Sequence, residues 1–314
     1  MRTIAFTAAV GLLGLRRINM EELYYHYTSL EVLYSIVSKN ELWLSNLRNS
    51  NDPNECYLSC EEYNKYIEGM NIDPYHGTPM ILSHNKVFGS PYGLSFTSLN
   101  DNLGQWERYG NRLMGVSISF DIHLIQEKLK ELYGFSFYFD SIKYTEADKI
   151  EFIKYLLSHM EKIEQYDYER HWPYYALFFV THFTAARALF KNSAFSSENE
   201  FRFYCDPIEY NFYYESISIF LKNQPEELKA HIEANERIQK NVGMTLENKK
   251  YAMMRNGINS YLSLDLLLLG DAKKHIIKEI VLGPKCKQDE EELENFMLSN
   301  GFSAKIRRSK IDIR

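Results

Sequence analysis

Two glutamates and an arginine lie close together where a loop enters a predicted strand, in Glu198-Asn199-Glu200-Phe201-Arg202. Alternation along a strand would place Glu198, Glu200 and Arg202 on one face. Such a set is either a surface ion-pair ladder, worth roughly 0–1 kcal/mol per pair, or a site. A carboxylate can stabilise the oxocarbenium-like state formed when a glycosidic bond breaks, and it can accept a proton from the incoming nucleophile. Glu200 is therefore a candidate catalytic residue.

A histidine lies near the end of an early predicted strand, in Tyr25-His26-Tyr27-Thr28-Ser29. Alternation places His26 and Thr28 on the same face of that strand. A histidine there can donate a hydrogen bond to a ribose hydroxyl or take part in acid–base chemistry. The alternative is a histidine satisfied inside the core, with Ser29 acting only as the cap of the next helix.

Hydroxyl and aromatic side chains follow another predicted strand. Ser95 and Thr97 lie at its end, where they could orient a nucleotide or shape a turn. Trp106, Arg108 and Tyr109 then cluster in one short predicted helix. Their aromatic rings could stack on a flat ligand such as nicotinamide. The alternative is a helix whose aromatic side chains fill the core.

A mixed set of helices and strands must position these residues. The patterns predict strands at 22–28, 42–45, 93–97, 114–120, 135–144, 201–205, 276–282 and 304–313. They predict helices at 30–38, 54–68, 103–109, 123–132, 146–165, 174–190, 226–256 and 289–299. Strands and helices do not alternate strictly, so the predicted fold class is α+β. Residues 20–314 are predicted to form one domain, with helical insertions near 145–195 and 222–260.

Composition and charge narrow the classes of function. The 314 residues are 45% hydrophobic and 25% charged, as in ordinary globular proteins, and the chain is long enough to bury a full core. The net charge of −6 argues against non-specific nucleic-acid binding by a broad basic surface, although a local basic groove stays open. The basic residues between 305 and 314 are predicted to form a solvated strand face.

The cysteines and histidines show no metal-binding spacing, so no metal is expected. The four cysteines are Cys56, Cys60, Cys205 and Cys286. So few cysteines in a chain of this length indicate reduced thiols and a cytoplasmic protein.

The first residues include an apolar run at 4–15 that is too short to span a bilayer. No small-x-small cleavage site follows it before Arg16. We expect Met20 to be the natural start, with residues 1–19 an extension that is not native. An additional N-terminal helix is the weaker alternative. No membrane association is expected.

Taken together, these segments resemble a bacterial family known only as domain of unknown function 2971. The resemblance runs in the family's order from about residue 22 to about residue 313. The matching segments are 25–30, 42–45, 51–55, 95–97, 106–109, 115–121, 198–202 and 280–285.

That family resembles a distant branch of the ADP-ribosyltransferase superfamily, in which a small split sheet grips NAD in a crevice. The resemblance implies a split, mixed or antiparallel sheet of this type with helical insertions. It implies that His26, with Thr28, is the first motif, Ser95 and Thr97 the second, and Glu200 the third. Two glutamates in the third motif are similar to the arginine-modifying branch, which begins with arginine rather than histidine. The acceptor of ADP-ribose therefore stays open.

The resemblance also implies roles for individual side chains. Glu200 would stabilise the ribosyl cation and position the acceptor, while His26 and Thr28 would hold a ribose of NAD. Trp106 or Tyr109 would pack against nicotinamide.

Further NAD-binding residues are implied at Ser95, Thr97 and Glu198. Guanidinium groups suit phosphate oxygens, so the pyrophosphate is expected beside Arg48, Arg108 or Arg202. No metal is required.

The sequence therefore predicts an NAD-dependent ADP-ribosyltransferase that transfers ADP-ribose to a protein or nucleic-acid acceptor. A role as a toxin or anti-phage effector, with a regulatory or antitoxin partner, is expected by family analogy alone. The alternatives are an NAD glycohydrolase, a catalytically inactive nucleotide-binding or sensing module, and an interaction protein in which residues 198–202 are only a surface ladder.

Overall fold

The computed structural model describes residues 23–49, 56, 91–133, 137–158, 187–205, 226, 229, 233, 250–254 and 257–313. Several predictions lie outside the described residues. They are the start at Met20, the helix at 54–68, most of the helix at 174–190, and Cys60.

The described chain contains both strands and helices, as predicted for an α+β protein. The strands are β1 (Tyr25–Thr28), β2 (Glu41–Asn46), β3 (Tyr92–Thr97), β4 (Val116–Phe120), β5 (Tyr138–Ser141), β6 (Glu200–Cys205), β7 (Lys250–Met254), β8 (Gly257–Asp265), β9 (Ile277–Leu282) and β10 (Lys305–Arg308). The α-helices are α1 (Leu30–Lys39), α2 (Leu103–Arg108), α3 (Ile122–Tyr133), α4 (Glu146–Ser158) and α5 (Glu290–Ser299). Short 3₁₀ segments are Leu47–Asn49, Ser193–Glu198 and Leu266–His275.

These ten strands form one mixed sheet that branches at β3. The longest path through it is β10-β9-β4-β1-β3-β2-β8-β7, and β6 and β5 extend from β3. β9 and β10 are parallel, and the other pairs are antiparallel.

The branch arises because β1 and β2 share one edge of β3. β6 pairs with β3 along its whole length and so occupies the opposite edge. β1 pairs with β3 only where Tyr25 is opposite Thr97, whereas β2 pairs only near Gly93. The two strands therefore separate on either side of Ser95, and the sheet divides there.

The two faces of the sheet carry different residues. The back face, defined by Phe96, Val116 and Ile118, lies in the main apolar core, which also receives Leu33 and Val37 of α1. Burying such a side chain fully contributes roughly 1.5–3 kcal/mol. On the front face lie a second apolar cluster and the polar residues of β3 and β6.

α1 follows β1 directly because its ends are well capped. The Ser29 hydroxyl accepts a hydrogen bond from Val32 N at 3.3 Å, and Asn40 ends the helix in the left-handed conformation. The role of Ser29 as the cap of this helix is confirmed.

The helix predicted at 226–256 is wrong at its end, where Lys250–Met254 forms β7 and pairs with β8. β8 in turn pairs with β2, and its Leu262 and Leu264 are buried against the core. This cross-strand burial outweighs the local helix preference of the segment. Residues 250–254 and 257–260 of the helical insertion predicted near 222–260 are therefore strand residues.

The strand predicted at 304–313 is shorter than expected, since β10 ends at Arg308. Its partner β9 ends at Leu282, so residues 309–313 have little strand left to pair with. Within the described ranges, no helix is both long enough and apolar enough to cross a membrane.

Close backbone contact at Gly115 joins β1 to the start of β4. Gly115 N donates to Gly110 O at 2.9 Å, and a Cβ at position 115 would collide with the carbonyl oxygen of Thr28. We expect Gly115→Ala to lower the free energy of unfolding by about 1–3 kcal/mol, measured by urea denaturation. Gly104→Ala in α2 is the control, with an expected change within about 1 kcal/mol because helices favour alanine. Equal effects of the two variants would contradict this account.

Candidate active site

The pairing of β3 with β6 gathers the second and third predicted motifs. Ser95 lies opposite Arg202, and Thr97 lies opposite Glu200. Directly opposite residues of an antiparallel pair project from the same face. All four side chains therefore belong to the front face.

A lysine that the sequence did not predict lies at the centre of this group. Lys191 Nζ is 2.7 Å from Glu198 Oε2 and 2.9 Å from Glu200 Oε2, and its side chain is only 3% exposed. The 3₁₀ segment Ser193–Glu198, which ends at a left-handed Asn199, turns the chain back so that Glu198 meets Lys191. The only signal for Lys191 in the sequence is its position directly after an apolar run.

Arg202 supplies the second cation. Its Nε donates to Glu200 Oε1 at 2.7 Å, and its Nη1 donates to the carbonyl of Ala188 at 2.6 Å. Both oxygens of Glu200 therefore face a cationic donor. We call Lys191, Glu198, Glu200 and Arg202 the carboxylate cluster, whose two acids and two bases balance in charge when all are ionised.

The helix α2 covers one side of the carboxylate cluster. Gln105 Nε2 donates to the Glu198 carbonyl at 3.0 Å, and the Tyr109 hydroxyl donates to Glu198 Oε1 at 2.5 Å. Arg108 Nη1 is 3.9 Å from the same oxygen, with its side chain 56% exposed. Arg108 and Tyr109 therefore form a solvent-facing rim above Glu198.

Burial and hydrogen bonds set the protonation of Glu200. Burial raises the pKa of Glu200, and the negative charge of Glu198 raises it further, while Lys191 and the Ser95 hydroxyl act in the opposite direction. A raised pKa brings a carboxyl closer to the pH at which acid–base catalysis is efficient. Backbone support comes from Glu200 N, which donates to the Tyr144 hydroxyl at 3.0 Å.

Lys191 stays protonated and positively charged. Burial opposes this charge, but the attraction of Glu200 and Glu198 outweighs that effect and raises the pKa of Lys191. Burial, together with Glu198, also raises the pKa of Tyr109. Tyr109 therefore remains a neutral donor.

His26 lies at the fork of the sheet, the place beside Ser95 where β1 and β2 separate. Its Nδ1 is 2.9 Å from the carbonyl oxygen of Ser95, and burial lowers its pKa although that carbonyl raises it. A neutral imidazole next to a carbonyl carries its proton on Nδ1. Nε2 of His26 is then a hydrogen-bond acceptor.

The predicted first motif and Glu200 do not share a face. His26 lies opposite Ile118 and Thr28 lies opposite Val116, so both belong to the back face. His26 is linked to Glu200 through Ser95. The Ser95 carbonyl contacts His26, and the Ser95 hydroxyl bonds to Glu200.

Other predicted site residues are engaged in the protein interior. Trp106 is fully buried, with its ring 4.7 Å from that of Tyr27, so it fills the core and cannot stack on nicotinamide in this conformation. Arg202 is likewise buried within the carboxylate cluster. The Thr97 hydroxyl accepts from Leu99 N at 3.2 Å and shapes the following turn.

Arg48 does not join the carboxylate cluster. It lies on the 3₁₀ segment Leu47–Asn49, whose Leu47 N donates to Pro91 O. This contact places it beside the beginning of β3, whereas Ser95 and Thr97 lie toward the other end.

Across the described residues, no group of three or more histidine, cysteine or acidic side chains could hold a metal ion. Cys56, Cys205 and Cys286 are buried.

In the comparison with known proteins, one family model matches part of the chain. A family model described as "Protein of unknown function (DUF2971)" matches residues 105–203. This range contains the whole carboxylate cluster and most of α2, and the match supports the resemblance to domain of unknown function 2971. No curated protein and no solved structure matches the chain.

The free energy of unfolding should depend on Lys191, because this residue neutralises the carboxylate cluster. Replacing Lys191 by methionine would leave two buried glutamates short of a cation, and we expect a loss of about 3–5 kcal/mol of unfolding free energy at pH 7. The pKa of Glu200 is already raised, and losing Lys191 raises it further. Glu200 then takes up a proton more readily in the folded state, so the deficit should shrink between about pH 7 and about pH 5.

The measurement is chemical denaturation at several pH values. The exposed Lys154, replaced by methionine, is the control and should change stability by less than about 0.5 kcal/mol. A deficit that does not vary with pH would contradict the electrostatic explanation.

Proposed function

We propose that this protein is an NAD-dependent ADP-ribosyltransferase that cleaves the nicotinamide glycosidic bond and transfers ADP-ribose to a macromolecule. The observation that carries the proposal is the position of Glu200. Glu200 is buried at the start of β6, beside Ser95 and Thr97, where the sheet divides. The resemblance to the superfamily expects its third-motif glutamate in such surroundings.

The reaction requires charge stabilisation at one carbon. The bond from ribose C1′ to nicotinamide breaks, nicotinamide leaves with the electron pair, and the ribosyl group becomes cationic. A carboxylate beside C1′ stabilises that cation. The acceptor then attacks C1′ and gives up its proton to a carboxylate, a role that Glu198 or Glu200 can fill.

Lys191 can release the Glu200 oxygen that it binds, so that this oxygen can face the ribosyl cation. It bonds to both glutamates, so it can move fully onto Glu198 when the cationic ribose takes its place. Neither carboxylate is then left buried without a positive partner, which would be costly.

Groups around the carboxylate cluster supply the binding contacts. Arg108, exposed at the rim, suits the pyrophosphate, and the partly exposed ring of Tyr109 suits nicotinamide. His26 projects from the other face of the sheet, so the contacts proposed here come from the front face alone.

The proposed acceptor is a protein or a nucleic acid, and the proposed setting is the cytoplasm. A role as a toxin or anti-phage effector, with a regulatory partner, is proposed on family analogy alone.

Two observations favour a second function, that of a nucleotide-binding module without catalytic activity. Both oxygens of Glu200 are bound to cations, and His26 projects from the other face of the sheet. A catalytically inactive module that binds or senses a nucleotide would keep this closed arrangement without needing to open it.

Nicotinamide release tests the two proposals. We expect purified protein to release nicotinamide from NAD when cell lysate supplies an acceptor, and Glu200→Gln to reduce the rate about 10²-fold or more because charge stabilisation in the transition state is lost. Release is measured by chromatography. The exposed Glu107, replaced by glutamine, is the matched control and should retain activity.

The other outcomes separate the alternatives. Release without lysate would indicate a glycohydrolase. Binding of NAD by calorimetry without any release would favour the nucleotide-binding module. The absence of both would overturn an NAD-based function and leave an interaction protein.

A further inference from the structure

Residues 309–313 follow β10 and lie against the front face of the sheet, where Ile311 and Ile313 pack on its apolar cluster. Ser309 N donates to Leu282 O at 2.8 Å, which is the last bond along the edge of β9. Beyond it the chain turns over the front face, and the Ser309 hydroxyl accepts from Ile311 N at 3.1 Å. We call residues 309–313 the strap.

Asp101 fastens the strap to the beginning of α2. Its Oδ1 accepts from the Ser309 hydroxyl at 2.7 Å and from Trp106 Nε1 at 2.8 Å, and its Oδ2 accepts from Lys310 N at 2.7 Å. One carboxylate therefore bonds to both the strap and the helix.

The strap fills an apolar groove with alternate side chains. Ile311 and Ile313 pack against a cluster in the groove, while Lys310 and Asp312 are exposed. The cluster consists of Tyr25, Tyr27, Trp106, Leu113 and Val281. Alternate anchoring of this kind is how extended peptides are recognised at the surfaces of proteins.

The same groove lies next to the carboxylate cluster. Trp106 is held by the strap through Asp101, and its neighbour Gln105 bonds to the Glu198 carbonyl. α2 has only six residues, far fewer than an isolated helix needs to be stable in water. Its position above Glu198 must therefore come from contacts at its two sides.

We propose that the groove has one occupant, the strap of this chain, and that occupancy by the strap holds α2 over the carboxylate cluster. The strap meets the groove through two aliphatic residues two positions apart, with a hydroxyl residue two positions before the first. Displacing the strap frees α2 and exposes Glu198.

Hydrogen–deuterium exchange of the full chain tests this. In Ile311→Ser/Ile313→Ser, we expect amide exchange in residues 103–109 to rise roughly tenfold, while β4 and β9 keep their protection. Lys310→Ala/Asp312→Ala, in the same segment but at exposed positions, should leave exchange unchanged. Ser309→Ala, which removes one bond to Asp101, should give a smaller rise in the same residues.

A synthetic peptide with the sequence of residues 307–314 is then added in excess to the double isoleucine variant. Restored protection of residues 103–109 supports the proposal. Three results would overturn the proposal: unchanged exchange in 103–109, loss of protection throughout β4 and β9, or no rescue by the peptide. None of these readouts depends on NAD or on catalysis.

Discussion

The contact of one lysine with two buried glutamates organises the front face of this protein. Without a cation, Glu198 and Glu200 would repel each other in the interior, which would destabilise the folded state. Lys191 removes that repulsion, and Arg202 balances the remaining charge. Ion pairs of this kind rarely add much net stability over apolar packing.

The branching of the sheet gives this cluster its surroundings. Because β1 and β2 each pair with β3 over only one or two residues, the middle of β3 has no partner on that edge among the described strands. His26 supplies a side-chain bond to the Ser95 carbonyl there. The backbone irregularity and the polar residues therefore occur at the same place, as is common for ligand sites built where regular pairing stops.

Much of the fold could be predicted from local patterns, while the relations between distant elements could not. The strand at β4 and the helices α1 and α5 followed from periodicity and caps such as Ser29. β7 and β8 were missed because the burial of Leu262 and Leu264 depends on pairing with β2, more than two hundred residues earlier. In the site, Glu200 and Ser95 were predicted as neighbours of one ligand, and the register of β3 with β6 brings them together. Lys191 was missed because no motif marked it, and the opposite orientation of His26 depends on a register that single-strand alternation does not reveal.

Ser95 has a further consequence for the chemistry of Glu200. Its side chain is exposed, yet its hydroxyl hydrogen-bonds to a carboxyl that is almost completely buried. A hydroxyl both donates and accepts, so it can pass a proton from water on one side to an acid on the other. Glu200, although buried, is therefore only one hydroxyl away from the exposed surface of the sheet.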